Sequence, residues 1–280
     1  MTITNKDIFS IYLNREVIAL ECELWRKFVA CNKKQRIFNF LTENHSYTSW
    51  SEKVVCYQPD NREDYQLVLK LVAVEMQRQN EDFSEIHYSA MNSYRENILE
   101  AIELLSTNSV VMDYTLRNLI GRVVIVSCDS LVATSSVLFL GLIVISPKEN
   151  WTLSDYVENI IHEMSHIELY IKQLLDPLVS TGTYLKSPFR DQPRPANGVF
   201  HAAFVLTRIV FYMHNLTLSG ADKLSTAANL NKASLLLKVT LAQFHRKNLL
   251  TIQGRSMAEE MGFVLSQFQK EDSASAIIYK

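Results

Sequence analysis

The chain has 280 residues, of which 48% are hydrophobic and 21% charged, and a formal net charge of −2. That is globular composition, long enough for one large core or two small ones. The near-neutral charge excludes a global basic field for nucleic acid or an anionic membrane. Seven glycines and six prolines are too few for a turn-rich all-β fold.

The expectation is a mostly α protein with a small β-sheet, folded as a single domain over residues 1–280. From Asp7 to about Ala30, Ile8, Ile11, Tyr12, Val17, Ile18, Leu20, Leu24 and Phe28 recur at helical spacing. A second helical piece runs through Phe38 and Leu41. Asn44 to Asp60 reads as a long loop. Asn61 to Gln79 and Tyr88 to Leu105 read as further helices. Residues 1–120 are thus a helical N-terminal part.

Residues 121–280 read as a small sheet plus helices. Arg122 to Ser127 and Val137 to Ile145 are short and β-branched, which predicts two strands in a hairpin or small sheet. Thr152 and Asp155 stand in capping-box positions, predicting a helix to about Leu175 that stops before Pro177. A proline-rich loop covers Asp176 to Ala196. Asn197 is placed to cap a helix to about Leu218. Helices over Ala221 to Lys247 and Arg255 to Gln269 follow, and Lys270 to Ser275 reads as a polar turn or frayed tail.

The N-terminus lacks an apolar signal core, and no apolar run reaches spanning length. Cys22, Cys31, Cys56 and Cys128 lie far apart, as reduced thiols of a cytoplasmic protein would.

The chemistry-bearing motif is His162-Glu163-Met164-Ser165-His166. Spacing of four on a helix puts both imidazoles on one face, one turn apart, within reach of one ion. Imidazole suits Zn²⁺ and Fe²⁺ alike. Glu163 is a candidate base, and Met164 faces the core. The plainer reading is two histidines on a half-exposed face with a solvated glutamate. The metzincin continuation fails, because Leu169 and Lys172 stand where Gly and His belong. The helix expected at 197–218 lacks the acid a gluzincin requires. His201, opening the helix after the proline-rich loop, is the better third ligand. His214 lies about 20 Å further along that helix at 1.5 Å per residue. His45, His87 and His245 have no partner at ligand spacing.

Residues His162 to Tyr212 resemble the HExxH-motif peptide-modification proteins of ribosomal peptide biosynthesis. The matching residues are the His162–His166 motif, Leu174-Leu175-Asp176-Pro177-Leu178, Tyr184, Ser187-Pro188-Phe189-Arg190-Asp191-Gln192-Pro193-Arg194-Pro195 and Gly198-Val199-Phe200-His201. Gln192 departs from the Asp common there. The resemblance implies a zincin-like helix packed in a helical domain. It also implies an iron(II)- and 2-oxoglutarate-dependent dioxygenase that uses O2 to hydroxylate a β-carbon in a precursor peptide. Its ligands would be His162, His166 and His201. The distal carboxylate of 2-oxoglutarate needs a cation, for which Arg194, Arg208 and Arg190 are candidates in that order. Glu163 would then accept a hydrogen bond from a ligand ring or bound water. The rival enzyme is a zinc metallopeptidase with Glu163 as general base. A non-enzymatic maturation partner that kept the metal helix as structure is the third reading. Tyr184, Phe189, Phe200 and Phe204 could line a peptide groove or simply pack.

Overall fold

The computed structural model describes residues 3–32, 38–41, 49–57, 69–70, 72–77, 86–88, 92–180, 182–216, 220–245 and 249–278, with backbone alone for 88, 220–221 and 271–278. Helix makes up 65% of the chain beside a small sheet, as the composition implies. Its contacts divide it into two compact units, Ile18–Glu168 and Met1–Val17 with Leu169–Lys280.

The first unit is built on a five-stranded sheet. Its strands are β1 (Val54–Cys56), β2 (His87–Tyr88), β3 (Arg122–Ser127), β4 (Ala133–Thr134) and β5 (Leu142–Ile145). The path is β1-β3-β5-β4, with β2 also on β3. β3 pairs with β1 and with β5 in parallel, so of the expected hairpin or small sheet it is the sheet that forms, and the hairpin is corrected to a parallel pair. β4, between the two expected strands, is antiparallel to β5. Val123 to Val126 and Leu142 to Ile145 are all buried. Burial of both faces is the condition under which parallel strands read as continuous apolar runs. Val124, Val126, Leu142 and Val144 share one face with Val72 and Met76. Those two are one helical turn apart in the helical residues 72–77; residues 61–68, 71 and 78–79 of that expected helix, like His45, lie outside the described residues.

Several expectations within this unit fail for physical reasons. Phe38 to Leu41 is extended: the amides of Phe38 and Phe40 donate to the carbonyls of Leu138 and Leu140, both at 2.8 Å. Asn39 fixes it by accepting from the Trp25 indole and the Leu41 amide, each at 3.1 Å. This backbone crosses two glycines closely. A Cβ on Gly121 would stand 1.4 Å from the Phe40 carbonyl oxygen, and Gly141 has φ +91 with the Leu41 amide nitrogen 2.6 Å from an ideal Cβ. The single strand expected over Val137 to Ile145 is split, with a 3-10 turn over Val137–Phe139 ahead of β5. The expected loop from Asn44 contains α3 (Trp50–Lys53) and β1. Tyr88 belongs to β2, and the helix read from it starts later, as α4 (Asn92–Asn108). It is followed by α5 (Val110–Leu119), which was not anticipated. Lys53 explains part of the join. Its ammonium donates to the carbonyls of Arg117 (3.0 Å) and Ile120 (2.9 Å), a cation at the end of α5. Burial lowers its pKa to about 8, with Arg117 adding to the effect.

The helix expected from Asp7 is two helices, α1 (Asn5–Ile8) and α2 (Arg15–Cys31). Asn14 caps the second by accepting from the amides of Glu16 (2.9 Å) and Val17 (3.2 Å), which breaks the run. α6 (Leu153–Lys172) starts where Thr152 donates through its amide and hydroxyl to Asp155, each at 2.8 Å. It ends at Lys172, three residues short of expectation.

The second unit contains the β6–β7 ribbon (Tyr184–Leu185 with Arg194–Pro195), α7 (Ala196–His214), α8 (Gly220–Leu241) and α9 (Ile252–Ile278). α7 packs against α8 and α9. It is long and apolar enough to cross a membrane by composition, but 78% of that window is buried inside the protein, as in a core helix. The frayed tail expected at Lys270 to Ser275 is helical backbone within α9. Asp176-Pro177-Leu178 is a structural clamp on the start of α9. The Asp176 carboxylate accepts from the Leu178 amide and the Thr251 hydroxyl, both at 2.7 Å. Thr251 in turn caps α9 by accepting from the Gly254 amide at 3.0 Å. Buried Leu178 is held at φ 63 by this clamp.

Candidate metal centre

His162, Glu163 and His166 belong to the sheet-bearing unit, on α6. One stripe of that helix buries Tyr156, Val157, Ile160, Ile161 and Met164, so Met164 is core, as expected. The two histidines stay half-buried beside it. Their Nε2 atoms are 3.2 Å apart and their rings meet edge to face at 4.9 Å. Two imidazole nitrogens bound to one ion at ~2.0–2.1 Å, with an angle of 90–110°, stand about 2.9–3.4 Å apart. The pair therefore fits as two ligands of one metal. Burial holds the His162 pKa down, at about 4, so its ring is neutral and able to ligate at neutral pH.

Glu163 is buried, and the Ser135 hydroxyl donates to its Oε2 at 2.6 Å. Burial raises its pKa to about 7, against the opposing Ser135 hydrogen bond. The next residue, Ser136, donates to the buried carboxylate of Glu75. Consecutive serines leaving β4 thus hold two buried glutamates. Ser135 carries no sequence signal, since 28 residues separate it from Glu163.

The other candidates belong to the helical unit. His201 is buried in the second turn of α7. Its Nε2 lies 2.8 Å from the Gln173 Oε1, and its ring 5.0 Å from the Tyr170 ring. Gln173 also donates through its amide nitrogen to the Asn197 side chain. Asn197 is therefore inside α7, whose N-cap is Pro195, rather than the expected cap. Arg194 lies along the same turn, its Cζ 3.8 Å from where a Gly198 Cβ would be. Burial lowers the pKa of Arg194, with nearby Tyr170 opposing. Burial, and then the charge of Arg194, lower that of Arg190. The two guanidiniums are thus electrostatic neighbours that remain cations. Arg208 is wholly buried two turns along α7, its Cζ 4.8 Å above the Phe204 ring and 5.8 Å from that of Tyr212.

Tyr170 and Gln173 were missed by sequence reasoning. They follow His166 by four and seven residues, on the same helical stripe, and that was the signal available. The four aromatic groove candidates divide: Tyr184 and Phe189 are exposed, while Phe200 and Phe204 are wholly buried. His87 is in β2 and His245 in the turn after α8. Among the described residues no group of three or more His, Cys, Asp or Glu is gathered in metal-holding geometry. The chain matches no protein-family model and no curated protein.

Proposed function

We propose that this protein is an iron(II)- and 2-oxoglutarate-dependent dioxygenase that hydroxylates the β-carbon of a side chain in a ribosomally made precursor peptide. One observation carries the metal reading: two imidazole nitrogens 3.2 Å apart on one helix face, next to a buried carboxyl. His162, His166 and His201 would hold the metal. His201 is the third ligand that the resemblance to the HExxH-motif peptide-modification proteins implies.

Bound together with 2-oxoglutarate and O2, the metal supplies the oxidising chemistry that turns 2-oxoglutarate, O2 and a C–H bond into succinate, CO2 and a C–OH bond. The chain's own groups bind and orient. Arg194 offers the cosubstrate's distal carboxylate a planar fork, with Arg190 adding positive field. Arg208, enclosed by two rings of its own helix, ranks behind Arg194 for that task. Glu163, anchored by Ser135, accepts a hydrogen bond from a ligand ring or a water at the metal. Exposed Tyr184 and Phe189 offer apolar contact to a peptide.

The test is aerobic conversion of 2-oxoglutarate to succinate, with iron and peptide each omitted in turn. Turnover that needs both supports the reading, and His201→Ala should abolish it. Peptide cleavage with zinc and without 2-oxoglutarate would replace it with the peptidase.

A further inference from the structure

We infer that the outward face of α8 is a docking surface for an acidic amphipathic helix of another polypeptide. Side chains three and four apart share one face of a helix. On one side of α8, Thr226, Leu230, Ala233, Leu237 and Thr240 are buried, and the helix packs against α7 and α9. On the other side, Leu224, Ala228, Asn231, Leu235 and Val239 form a second stripe, and all five are exposed. Leu224 is 76% exposed, Leu235 63% and Val239 53%. The solvent-facing stripe thus has two leucines, a valine and an alanine beside its one asparagine, whereas the buried stripe mixes two leucines and an alanine with two threonines. By residue type the outer stripe is as fit for a core as the inner one. A helix that is apolar on both sides is one that is covered on both sides. An exposed apolar patch with a polar rim marks an interaction site.

Charge at the rim selects the partner. The charged side chains among the exposed described residues of α8 are Lys223, Lys232 and Lys238, with no acid among them. At about 100° per residue, Lys232 and Lys238 flank the stripe on its two sides, and Asp222, the acid of α8, lies far round the helix. A second copy laid stripe to stripe would set lysine against lysine. A helix whose own apolar stripe is rimmed by Glu or Asp covers the leucines and meets the ammoniums with opposite charge. Asn231 stands in the middle of the stripe. Its amide would lack a partner among lipid chains. A facing helix can supply one, as polar residues in helix–helix seams do when they fix register. The observations therefore favour a polypeptide over an anionic membrane. Docking here requires neither the metal nor His201.

Two labelled synthetic helical peptides, titrated with the full chain and followed by fluorescence anisotropy, test this surface. Both carry the same leucine stripe, and they differ only in the rim, Glu in one and Lys in the other. The Glu-rimmed peptide should bind about 10-fold more tightly through the rim ion pairs, and its advantage should shrink as salt is raised. Leu235→Gln combined with Val239→Gln, at exposed positions that the fold does not need, should abolish binding. Lys232→Glu combined with Lys238→Glu should invert the preference between the peptides. No binding of the Glu-rimmed peptide, equal binding of the two, or binding that survives the paired Gln substitutions would overturn the proposal. Co-sedimentation with phosphatidylglycerol vesicles without peptide binding would assign the face to a membrane instead. A concentration-dependent dimer that Leu235→Gln dissolves would assign it to a second copy, and either result overturns the acidic helix.

Discussion

The sheet-bearing unit and the helical unit both use side-chain tethers, but the first adds close backbone packing. In it the period of α6 aligns His162 with His166, and backbone crossing two glycines locks Phe38 to Leu41 beside the sheet. In the second, the tethers carry more of the placement. Asp176 ties its turn to Thr251, and the Gln173–Asn197 pair ties His201 to the end of α6. Close backbone packing leaves no slack, whereas a tether is one hydrogen bond with neighbours that can adjust. Substitutions in the first unit should therefore cost more than those in the second.

The sharpest test is Gly121→Ala. A Cβ 1.4 Å from the Phe40 oxygen cannot be accommodated without moving backbone. Chemical denaturation should show a loss above ~3 kcal/mol. Next comes His162→Ala or His166→Ala, either of which should weaken Fe²⁺ binding by more than about 100-fold in chelator competition, because it removes a ligand outright. Retention of parental affinity by either variant would break the metal reading.

Glu163→Gln should act through pH. The folded-state pKa of Glu163 is raised to about 7 from 4.5, so the chelated native protein binds a proton that the unfolded chain has released between those values. Its stabilising contribution is complete below about 4.5 and lost as pH rises through 7. The chelated variant should therefore exceed the parent by roughly 1–3 kcal/mol at pH 8 and match it near pH 4.5. An equal gap at both pH values would show that ionisation is not involved. The smallest effect belongs to a tether: Asp176→Ala should cost about 1–2 kcal/mol in thermal or denaturant unfolding, by leaving the Leu178 amide and Thr251 hydroxyl to find other partners. A loss as large as that of Gly121→Ala would erase the contrast between the units.

The same contrast explains what could be read in the sequence. Helical periodicity is local, so α6, α7 and the His162–His166 pair were legible, as was β3 from its β-branched run. Phe38 to Leu41 looks helical in isolation, and only hydrogen bonds to Leu138 and Leu140 make it extended. β1 is three residues long and takes its identity from β3. The split of Val137 to Ile145 follows from Gly141 and its left-handed backbone, a turn hidden within an apolar run. Ser135 and Asn197 are ordinary polar residues whose roles exist only once distant chain segments meet. Gln173 was accessible in principle, by extending the motif's stripe two turns.

α7 has a consequence for how the chain is made. Fourteen of its nineteen residues are buried in the finished protein, and the covering helices α8 and α9 both follow it in sequence. During N-to-C synthesis this segment emerges before its cover exists, as a greasy ribbon attractive to chaperones and to other nascent chains. Its one charged side chain, Arg208, interrupts that ribbon near the middle. In the native state the same guanidinium is folded away between two aromatic rings.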